Sequence, residues 1–323
     1  MTSRVFVARE IPAAGLDRVR QATNCSVWPE RLPPAPEVLI RNSVGCHGVL
    51  SLLSDRIDAA FFDAVGPQLK VVSNFAVGYN NIDVDEATKR GIAVGNTPGV
   101  LTDSTADTAL ALLLAAARCV REGIENVSRK EWLTWEPMGF IGQDLVGKTV
   151  GIVGMGRIGQ ATARRLHFGW GMKVIYTSRS PKPEADQELT ATRVSLEQLL
   201  SDSDFVSVHT DLNPETTRMF GAAEFEAMKS TAVFVNTARG GVVDESALQT
   251  ALKTEQIFAA GLDVTDPEPL AEDSGLRELP NCVILPHIAS GTVASRDAMA
   301  EIAADNLLAG LEGKPLRHQV NPL

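Results

Sequence analysis

The segment Lys148–Ser180, KTVGIVGMGRIGQATARRLHFGWGMKVIYTSRS, decides the fold. It reads as a β-branched strand, a glycine turn, an amphipathic helix and a second apolar strand. In its G-x-G-x-x-G motif, Gly154 permits the tight turn, Gly156 lets the backbone approach a pyrophosphate, and Gly159 lets the helix pack on the strand. The helix N-terminus offers unpaired N–H groups to phosphates. The segment therefore predicts a dinucleotide site, with contacts from Gly154, Met155, Gly156, Arg157, Ile158 and Gly159.

The residues after the second strand indicate which dinucleotide is bound. NAD sites usually place Asp or Glu there to hold the ribose 2′-hydroxyl, whereas this chain reads Tyr176-Thr177-Ser178-Arg179-Ser180. Arg179 can form a fork on a 2′-phosphate, and Ser178 and Ser180 can donate hydrogen bonds to it. The alternative is a solvated arginine in a loop. We therefore expect NADP(H) as the cofactor, with NAD(H) as the weaker alternative.

The composition is that of a globular protein large enough for two domains. Its 323 residues are 44% hydrophobic and 22% charged, which is ordinary for a soluble fold. The formal net charge of −10 gives no basic surface for nucleic acid and disfavours an anionic membrane. The most apolar helical run, Ala109–Ala117, is too short to cross a bilayer. A charged N-terminus that leads directly into a strand predicts no signal peptide.

The cysteines and histidines bear on compartment and metal binding. Cys25, Cys46, Cys119 and Cys282 are scattered, with no C-x-x-C pair and no clustered histidine. This pattern predicts reduced thiols in a cytoplasmic protein and no metal site.

Strand-like runs alternate with helical patterns along the whole chain. The alternation predicts an α/β fold with parallel sheets built from βαβ units. We predict a helix from Thr102 to Gly123, capped by Thr102 or Asp103, and another from Ser295 to Gly313. Besides the strand before the glycine turn, the predicted strands are Val5–Ala8, Ser26–Trp28, Gly48–Leu52, Val71–Asn74, Ala93–Gly95, Lys173–Thr177, Phe205–His209, Ala232–Asn236, Ala259–Asp263 and Val283–Leu285.

Three polar residues follow predicted strands and can carry chemistry. Arg239, Glu268 and His287 each come shortly after an apolar run, and ligands of open α/β sheets bind outside the carboxyl ends of strands. Arginine holds a carboxylate with its planar fork, histidine donates a proton near neutral pH, and a carboxylate fixes the imidazole tautomer. The alternatives are an ion-pairing or capping arginine, a solvated acid and a histidine satisfied at a strand end.

Almost the whole chain, from about Arg4 to Leu323, resembles the D-isomer-specific 2-hydroxyacid dehydrogenase family. The motifs that carry the resemblance are AVGYNNID at 76–83, TADTALAL at 105–112, GMGRIG at 154–159, NTARGGVVDE at 236–245, AAGLDVTDPEPL at 259–270 and LPHIAS at 285–290. Within the family, LSDRID at 53–58, HFG at 167–169 and YTSR at 176–179 are most similar to glyoxylate/hydroxypyruvate reductases, including those that also reduce 2-ketogluconate.

The resemblance implies a mechanism. Arg239 would hold the carboxylate of a 2-oxo acid and polarise its keto group, His287 would protonate the carbonyl oxygen during hydride transfer, and Glu268 would orient His287. The product would be a D-2-hydroxy acid. The implied substrate contacts are Leu53, Ser54, the backbone of Val77 and Gly78, Arg239, His287 and, in some relatives from the neighbouring subunit, Trp135.

The resemblance also implies cofactor contacts beyond the glycine turn. Asp263 is similar to a family residue near the nicotinamide amide, and Thr105 to one on the far side of the cofactor. The other implied contacts are His209, Thr210, Thr216, Thr237, Ala238 and Ala289. Asp211 departs from the family, where proline generally lies beside the adenosine. Its charge would weaken NADP binding unless it points away.

The implied architecture is two Rossmann-like or flavodoxin-like domains with parallel sheets. Residues 1–99 and 291–323 would form a discontinuous substrate-binding domain, and residues 100–290 the NAD(P)-binding Rossmann domain. The resemblance also implies a homodimer built on the interdomain helix. Trp135 would either reach the neighbouring subunit's pocket or lie buried in the dimer arm.

Two classes of alternative function remain open. One is another reaction of the same family: phosphoglycerate oxidation is expected to need a regulatory domain after Leu323, phosphite oxidation a lysine in the loop Ala76–Gly78, and formate oxidation a different pocket. The other is an NAD(P)H-sensing, corepressor-like interaction protein, which would retain the Arg, Glu and His but carry extended tails.

Overall fold

The computed structural model describes residues 2–323 and divides the chain into two compact units. One unit comprises the residues up to Leu101 together with Ser290–Leu323, and the other is Thr102–Ala289. Each unit contains its own parallel sheet, which confirms the predicted α/β fold. Within residues 2–323, no helix combines the length and the apolar character needed to cross a membrane.

The first unit is built on five parallel strands and five helices. The strands are β1 (Arg4–Val7), β2 (Asn24–Val27), β3 (Gly48–Ser51), β4 (Val71–Asn74) and β5 (Ala93–Gly95), and the helices are α1 (Ala13–Ala22), α2 (Pro36–Ser43), α3 (Ala59–Val65), α4 (Val84–Lys89) and α12 (Val293–Leu311). The sheet order is β2-β1-β3-β4-β5. This is the flavodoxin-like order, whose topological switch point lies between β1 and β3.

The C-terminal helix and the residues after it complete the first unit. Helix α12 packs so closely on α1 that a Cβ on Gly15 would lie 2.1 Å from the carbonyl oxygen of Ala300. Asn321 accepts a hydrogen bond from the Val94 amide (2.8 Å) and donates one to the Ile92 carbonyl (2.9 Å). The last residues of the chain therefore hold the edge strand β5.

The second unit is built on a seven-stranded parallel sheet. Its strands are β6 (Thr149–Val153), β7 (Lys173–Thr177), β8 (Thr192–Arg193), β9 (Phe205–Val208), β10 (Val233–Asn236), β11 (Ala259–Leu262) and β12 (Cys282–Ile284). The order is β12-β11-β10-β9-β6-β7-β8. This is the dinucleotide-binding order with one strand added at the end, so the switch point lies between β6 and β9.

Helices cover both faces of this second sheet. They are α5 (Thr102–Ala117), α6 (Val120–Ser128), α7 (Arg157–Trp170), α8 (Pro183–Leu189), α9 (Leu196–Asp202), α10 (Ala222–Glu226) and α11 (Glu245–Lys253). Successive side chains of a strand point to opposite faces. In β10, Val233 and Val235 accordingly join the core under α5 and α7, whereas Phe234 joins the core under α9, α10 and α11. Both faces are thus apolar, as a parallel sheet requires.

The predicted helix Thr102–Gly123 is wrong in its last part. Helix α5 ends at Ala117, and Cys119 adopts a left-handed backbone with φ of +52° before α6 begins. The carbonyl of Ala117 accepts a hydrogen bond from the Gln143 amide at 2.8 Å. Because a distant segment takes this carbonyl, the helix stops there, and Gly123 lies inside α6 instead of ending α5.

Candidate active site

The glycine turn lies at the end of β6, beside the switch point. Gly154 has φ of +97°, and a Cβ there would lie 2.6 Å from the carbonyl oxygen of His209. A Cβ on Gly159 would lie 2.2 Å from the carbonyl oxygen of Gly154, so α7 packs directly on the turn. A Cβ on Gly156 would meet nothing within 4 Å. The turn therefore leaves space for a phosphate at the N-terminus of α7, and these residues fit the pyrophosphate of a dinucleotide.

The residues after β7 form a tight turn held by an arginine of the next strand. The Ser178 hydroxyl donates to the carbonyl of Ser180 at 2.7 Å, and Arg179 is exposed. Arg193, in β8, donates to the Ser178 carbonyl from Nε (3.1 Å) and Nη2 (2.7 Å), and to the Arg179 carbonyl from Nη2 (3.1 Å). Arg193 was not predicted as a cofactor residue, because its strand has only two residues. The structure thus places a second positive charge against this turn.

His209 follows β9, across the switch point from the glycine turn. Its Nε2 lies 2.9 Å from the Ser207 hydroxyl, and its Nδ1 lies 3.4 Å from the Thr237 hydroxyl. Burial lowers the pKa of His209 to about 3. The imidazole is therefore neutral at physiological pH, and it offers one donor and one acceptor.

The loop after His209 is closed by its own side chains. The Thr216 hydroxyl donates to the Asp211 carbonyl at 2.6 Å and accepts from the Asn213 amide at 2.9 Å. The Asn213 side chain accepts from the Thr216 amide at 3.2 Å. Thr216 thus shapes the loop that includes Thr210 and Asp211, and its contact with a cofactor stays a prediction.

Arg239 lies in a turn after β10 that is fixed on both sides. The Asn236 side chain donates to the Arg239 carbonyl and accepts from the Ala238 amide, both at 2.9 Å. Arg239 Nη1 donates to the Ala238 carbonyl at 2.7 Å. A Cβ on Gly240 would lie 2.0 Å from the carbonyl carbon of Thr265. Glycine therefore lets this turn pack directly on the segment that follows β11.

Glu268 and His287 form a hydrogen-bonded pair. The Nδ1 of His287 lies 2.8 Å from Oε2 of Glu268, and the two side chains are 24% and 31% exposed, respectively. The Thr265 amide donates to Oε1 of Glu268 at 3.2 Å. Because the carboxylate engages Nδ1, the imidazole presents Nε2 as the nitrogen that can reach a ligand.

Asp263 holds the turn that carries His287. Its buried carboxylate accepts hydrogen bonds from the amides of Ile288 (2.8 Å) and Ala289 (2.9 Å). The His287 amide donates to the Asp263 carbonyl at 2.9 Å, and His287 itself has a left-handed φ of +55°. Burial raises the pKa of Asp263, although the two amide bonds and the nearby His287 act against this rise. The contact between Asp263 and a nicotinamide stays a prediction.

The charges around Glu268 keep it ionised. Burial alone would raise its pKa, but the hydrogen bond and charge of His287, the Thr265 amide and the charge of Arg239 outweigh burial, so the pKa lies below its usual value. Burial lowers the pKa of Arg239, and the charges of Glu268 and Asp211 act in the opposite direction. An arginine stays protonated under such conditions, so the site contains a fixed positive and a fixed negative charge.

In the first unit, the turn after β3 projects the predicted substrate residues Leu53 and Ser54. The Leu52 amide donates to the Asp55 carboxylate at 2.7 Å. The Asn81 side chain donates to the carbonyls of Leu52 (3.0 Å) and Asp55 (2.9 Å). The turn is thus fixed at both ends, and Leu53 and Ser54 between them are exposed.

The predicted carboxylate-binding residues of the same unit follow β4. The Val77 carbonyl accepts from the Asn96 side chain at 2.8 Å, and the Gly78 carbonyl accepts from the Asn74 side chain at 3.0 Å. Among residues 2–323, no backbone carbonyl accepts the amide of either Val77 or Gly78. The asparagines, whose bonds span 19 and 4 residues, were not predicted as site residues. They hold the carbonyls of Val77 and Gly78, and the binding of a carboxylate by the two amides stays a prediction.

The remaining predicted residues have diverse surroundings. Thr105 is buried in α5. Ala289 lies against the same helix, because its carbonyl accepts a hydrogen bond from the Thr108 hydroxyl at 3.4 Å. Trp135 is 80% exposed, in a segment without regular structure. Within residues 2–323, no cluster of three or more His, Cys, Asp or Glu residues could hold a metal ion.

The fold and the site define a class of protein. The second unit combines the strand order of dinucleotide-binding domains, a glycine turn shaped for a phosphate, and an arginine beside a histidine–carboxylate pair. These are the parts of a nicotinamide-dependent oxidoreductase.

Comparison with known proteins identifies the family within this class. Residues 110–289 match the family model described as "D-isomer specific 2-hydroxyacid dehydrogenase, NAD binding domain". The chain is 48% identical over 322 residues to a glyoxylate reductase from Korarchaeum cryptofilum, covering 99% of this chain and 96% of that protein. It is 47% identical over 315 residues to the human glyoxylate reductase/hydroxypyruvate reductase, covering 97% and 96%. The chain belongs to the D-isomer-specific 2-hydroxyacid dehydrogenase family.

A solved structure of a relative includes a bound dinucleotide. This is the NADPH-dependent glyoxylate/hydroxypyruvate reductase from Sinorhizobium meliloti, in complex with NADP and malonate. It superimposes with a TM-score of 0.87 at 32% identity, covering 99% of this chain and 97% of that one.

Proposed function

We propose that this protein reduces small 2-oxo acids, glyoxylate and hydroxypyruvate foremost and 2-ketogluconate as a further candidate, to D-2-hydroxy acids (glycolate, which is achiral, from glyoxylate). The observation that carries the proposal is the 2.8 Å bond between His287 Nδ1 and Glu268. It lies in a chain whose relatives, at 47–48% identity, are named glyoxylate or hydroxypyruvate reductases.

The roles proposed for the residues follow from their chemistry. The cofactor, when bound, supplies a hydride to C2 of the substrate. His287 gives the proton from Nε2 to the carbonyl oxygen and recovers one from solvent, while Glu268 fixes the tautomer and stabilises the imidazolium. Arg239 binds the carboxylate with its planar guanidinium and polarises the adjacent carbonyl. In the first unit, the proposed substrate contacts are the amides of Val77 and Gly78, which would bind a substrate carboxylate, and the side chains of Leu53 and Ser54.

NADPH preference is part of the proposal. Arg179 and the hydroxyl of Ser180 would bind the 2′-phosphate, and Arg193 adds its charge at the same turn. The hydroxyl of Ser178 would join them only by exchanging its bond to the Ser180 carbonyl for one to the phosphate. The negative charge of Asp211 would oppose the binding of a 2′-phosphate. The same charge acts on Arg239, whose pKa it raises. We therefore propose NADP(H) as the main cofactor and NAD(H) as a weaker one. The other contacts would come from the glycine turn and from Thr105, His209, Thr210, Thr216, Thr237, Ala238, Asp263 and Ala289.

We also propose a cytoplasmic homodimer. The surface of α6 and the segment after it exposes a run of large apolar side chains, which is unusual for a monomer of this size. They are Val120, Ile124, Val127, Trp132, Leu133, Trp135 and Met138, between 42% and 90% exposed. A second copy of the chain would cover this surface, and Trp135 would either pack within the interface or reach the partner's substrate. The cysteines are free thiols, which is compatible with a reducing compartment.

Initial rates of NADPH and NADH oxidation with glyoxylate, hydroxypyruvate, 2-ketogluconate and pyruvate test the proposal. We expect turnover of the first two, faster with NADPH. His287→Ala should lower kcat by roughly 100-fold or more while leaving the Kd for NADPH near that of the unaltered protein. Tight NADPH binding with no turnover of any 2-oxo acid would overturn the proposal and favour a dinucleotide-sensing protein. Faster turnover with NADH would overturn only the coenzyme preference.

A further inference from the structure

Tyr176 has a buried hydroxyl that the mechanism above does not use. Its side chain is fully buried and lies in the same core as that of Val174, two residues earlier in β7. Burying a hydroxyl without a hydrogen bond costs free energy, whereas a phenyl ring would fill the same space without that cost. The hydroxyl of Tyr176 has a partner, because it accepts a hydrogen bond from the amide of Lys182 at 2.9 Å. The hydroxyl thus ties the core to a backbone amide on the far side of the turn after β7.

This bond is the second of two anchors of that turn. At the near end, Arg193 donates to the carbonyls of Ser178 and Arg179. At the far end, the amide of Lys182, the residue directly before α8, donates to Tyr176. The side chains of Arg179 and Ser180 are exposed. The turn is therefore held at both ends while it presents these two side chains to solvent.

The hydroxyl of Tyr176 is neutral at physiological pH. Burial and the carboxylate of Asp186 raise its pKa, and the Lys182 amide and the charge of Arg193 act against this rise. The bond to Lys182 therefore joins two neutral groups. It fixes the position of the turn and leaves the positive charges of Arg179 and Arg193 undiminished.

We propose that Tyr176 is a positioning residue that favours NADPH over NADH by holding the turn that would bind the 2′-phosphate. This inference rests on the coenzyme preference in the proposed function. NADPH and NADH differ only in the 2′-phosphate, so the order of this turn affects the binding of NADPH far more than that of NADH. A turn without its second anchor has to be ordered when the phosphate binds, and this cost weakens binding. One neutral hydrogen bond accounts for roughly 3- to 10-fold in affinity.

The test compares the Kd for NADPH with that for NADH by fluorescence titration without substrate, in the unaltered protein, Tyr176→Phe and Val174→Ala. Tyr176→Phe removes the hydroxyl and leaves the ring that fills the core. We expect its Kd for NADPH to rise by roughly 3- to 10-fold, with little change in the Kd for NADH. Val174→Ala is the matched control, because it removes buried volume from the same strand and core but no bond of the turn. It should leave the ratio of the two Kd values unchanged.

The outcomes separate the role of Tyr176 from the function on which it rests. An unchanged Kd ratio in Tyr176→Phe, or an equal rise in both Kd values, would overturn the role of Tyr176. The same shift of the ratio in Val174→Ala would also overturn it, because loosening of the strand would then be the cause. If the unaltered protein bound NADH as tightly as NADPH, the coenzyme preference and the role of Tyr176 would fall together. The reductase function would still stand in each case, since turnover of 2-oxo acids tests it separately.

Discussion

The buried histidine His209 should make the free energy of unfolding depend on pH. Its ring is buried beside Ser207 and Thr237, which places its pKa at about 3 against 6.5 for an unperturbed histidine. Between these values the unfolded chain binds a proton that the folded protein does not, so stability falls as the pH is lowered through this window. At pH 5, about 1.5 units below the unfolded pKa, this single group destabilises the fold by about 2 kcal/mol.

Urea unfolding at about pH 7.5 and about pH 5 tests this value. His209→Gln keeps a donor and an acceptor but cannot be protonated in this range. We expect the loss of unfolding free energy between the two pH values to be about 2 kcal/mol smaller in the variant than in the unaltered protein. The other four of the five histidines are the same in both proteins, so their contributions cancel in the comparison. Equal pH sensitivity of the two proteins would refute the neutral, buried imidazole.

Substitutions at Glu268, Arg193 and Gly159, two of them with a matched second variant, test the site and the turn. Glu268→Gln should lower kcat for hydroxypyruvate by roughly 100-fold with little change in the Kd for NADPH, whereas an unchanged kcat would remove Glu268 from the mechanism. Arg193→Gln should raise the KM for NADPH roughly 10-fold more than that for NADH, and Arg193→Lys should recover part of the loss if charge matters; equal effects on both coenzymes would contradict its role. Gly159→Ala should cost about 1–3 kcal/mol in unfolding free energy, since its Cβ would lie 2.2 Å from the Gly154 carbonyl oxygen. Gly169→Ala, in the same helix with nothing within 4 Å, should instead add about 0.5 kcal/mol; losses of similar size in both would refute the packing argument.

The parts of the fold that were predictable depend on local patterns. The glycine motif predicted a strand–turn–helix unit because the three glycines and the apolar runs on either side of them lie in one short segment, and the structure has that unit at Thr149–Trp170. It was also predictable that Arg239, Glu268 and His287 follow strands, because each of them comes shortly after an apolar run that marks a strand. The structure brings these three side chains together in one unit, although their roles stay proposals.

The parts that were missed depend on contacts between distant segments. The helix break at Cys119 follows from a bond between Ala117 and Gln143, which no pattern near residue 119 could reveal. Arg193 was missed because its bonds reach back 15 residues to Ser178. Asn96, which fixes the Val77 carbonyl, is another case. An asparagine carries no periodic signal, so its partner becomes visible only in three dimensions.

The position of α12 has a consequence for the order in which the protein is made. Ribosomes release the first hundred residues long before Val293–Leu311 exists, yet that helix packs on α1, and Asn321 holds β5. Until the final segment emerges, the early sheet lacks the helix that packs on β3, β4 and β5. Thr102–Ala289 is continuous in the chain and can fold while synthesis proceeds. The part of the protein that is translated first is therefore the part that matures last, and a nascent chain arrested before Val293 would present a surface that chaperones bind.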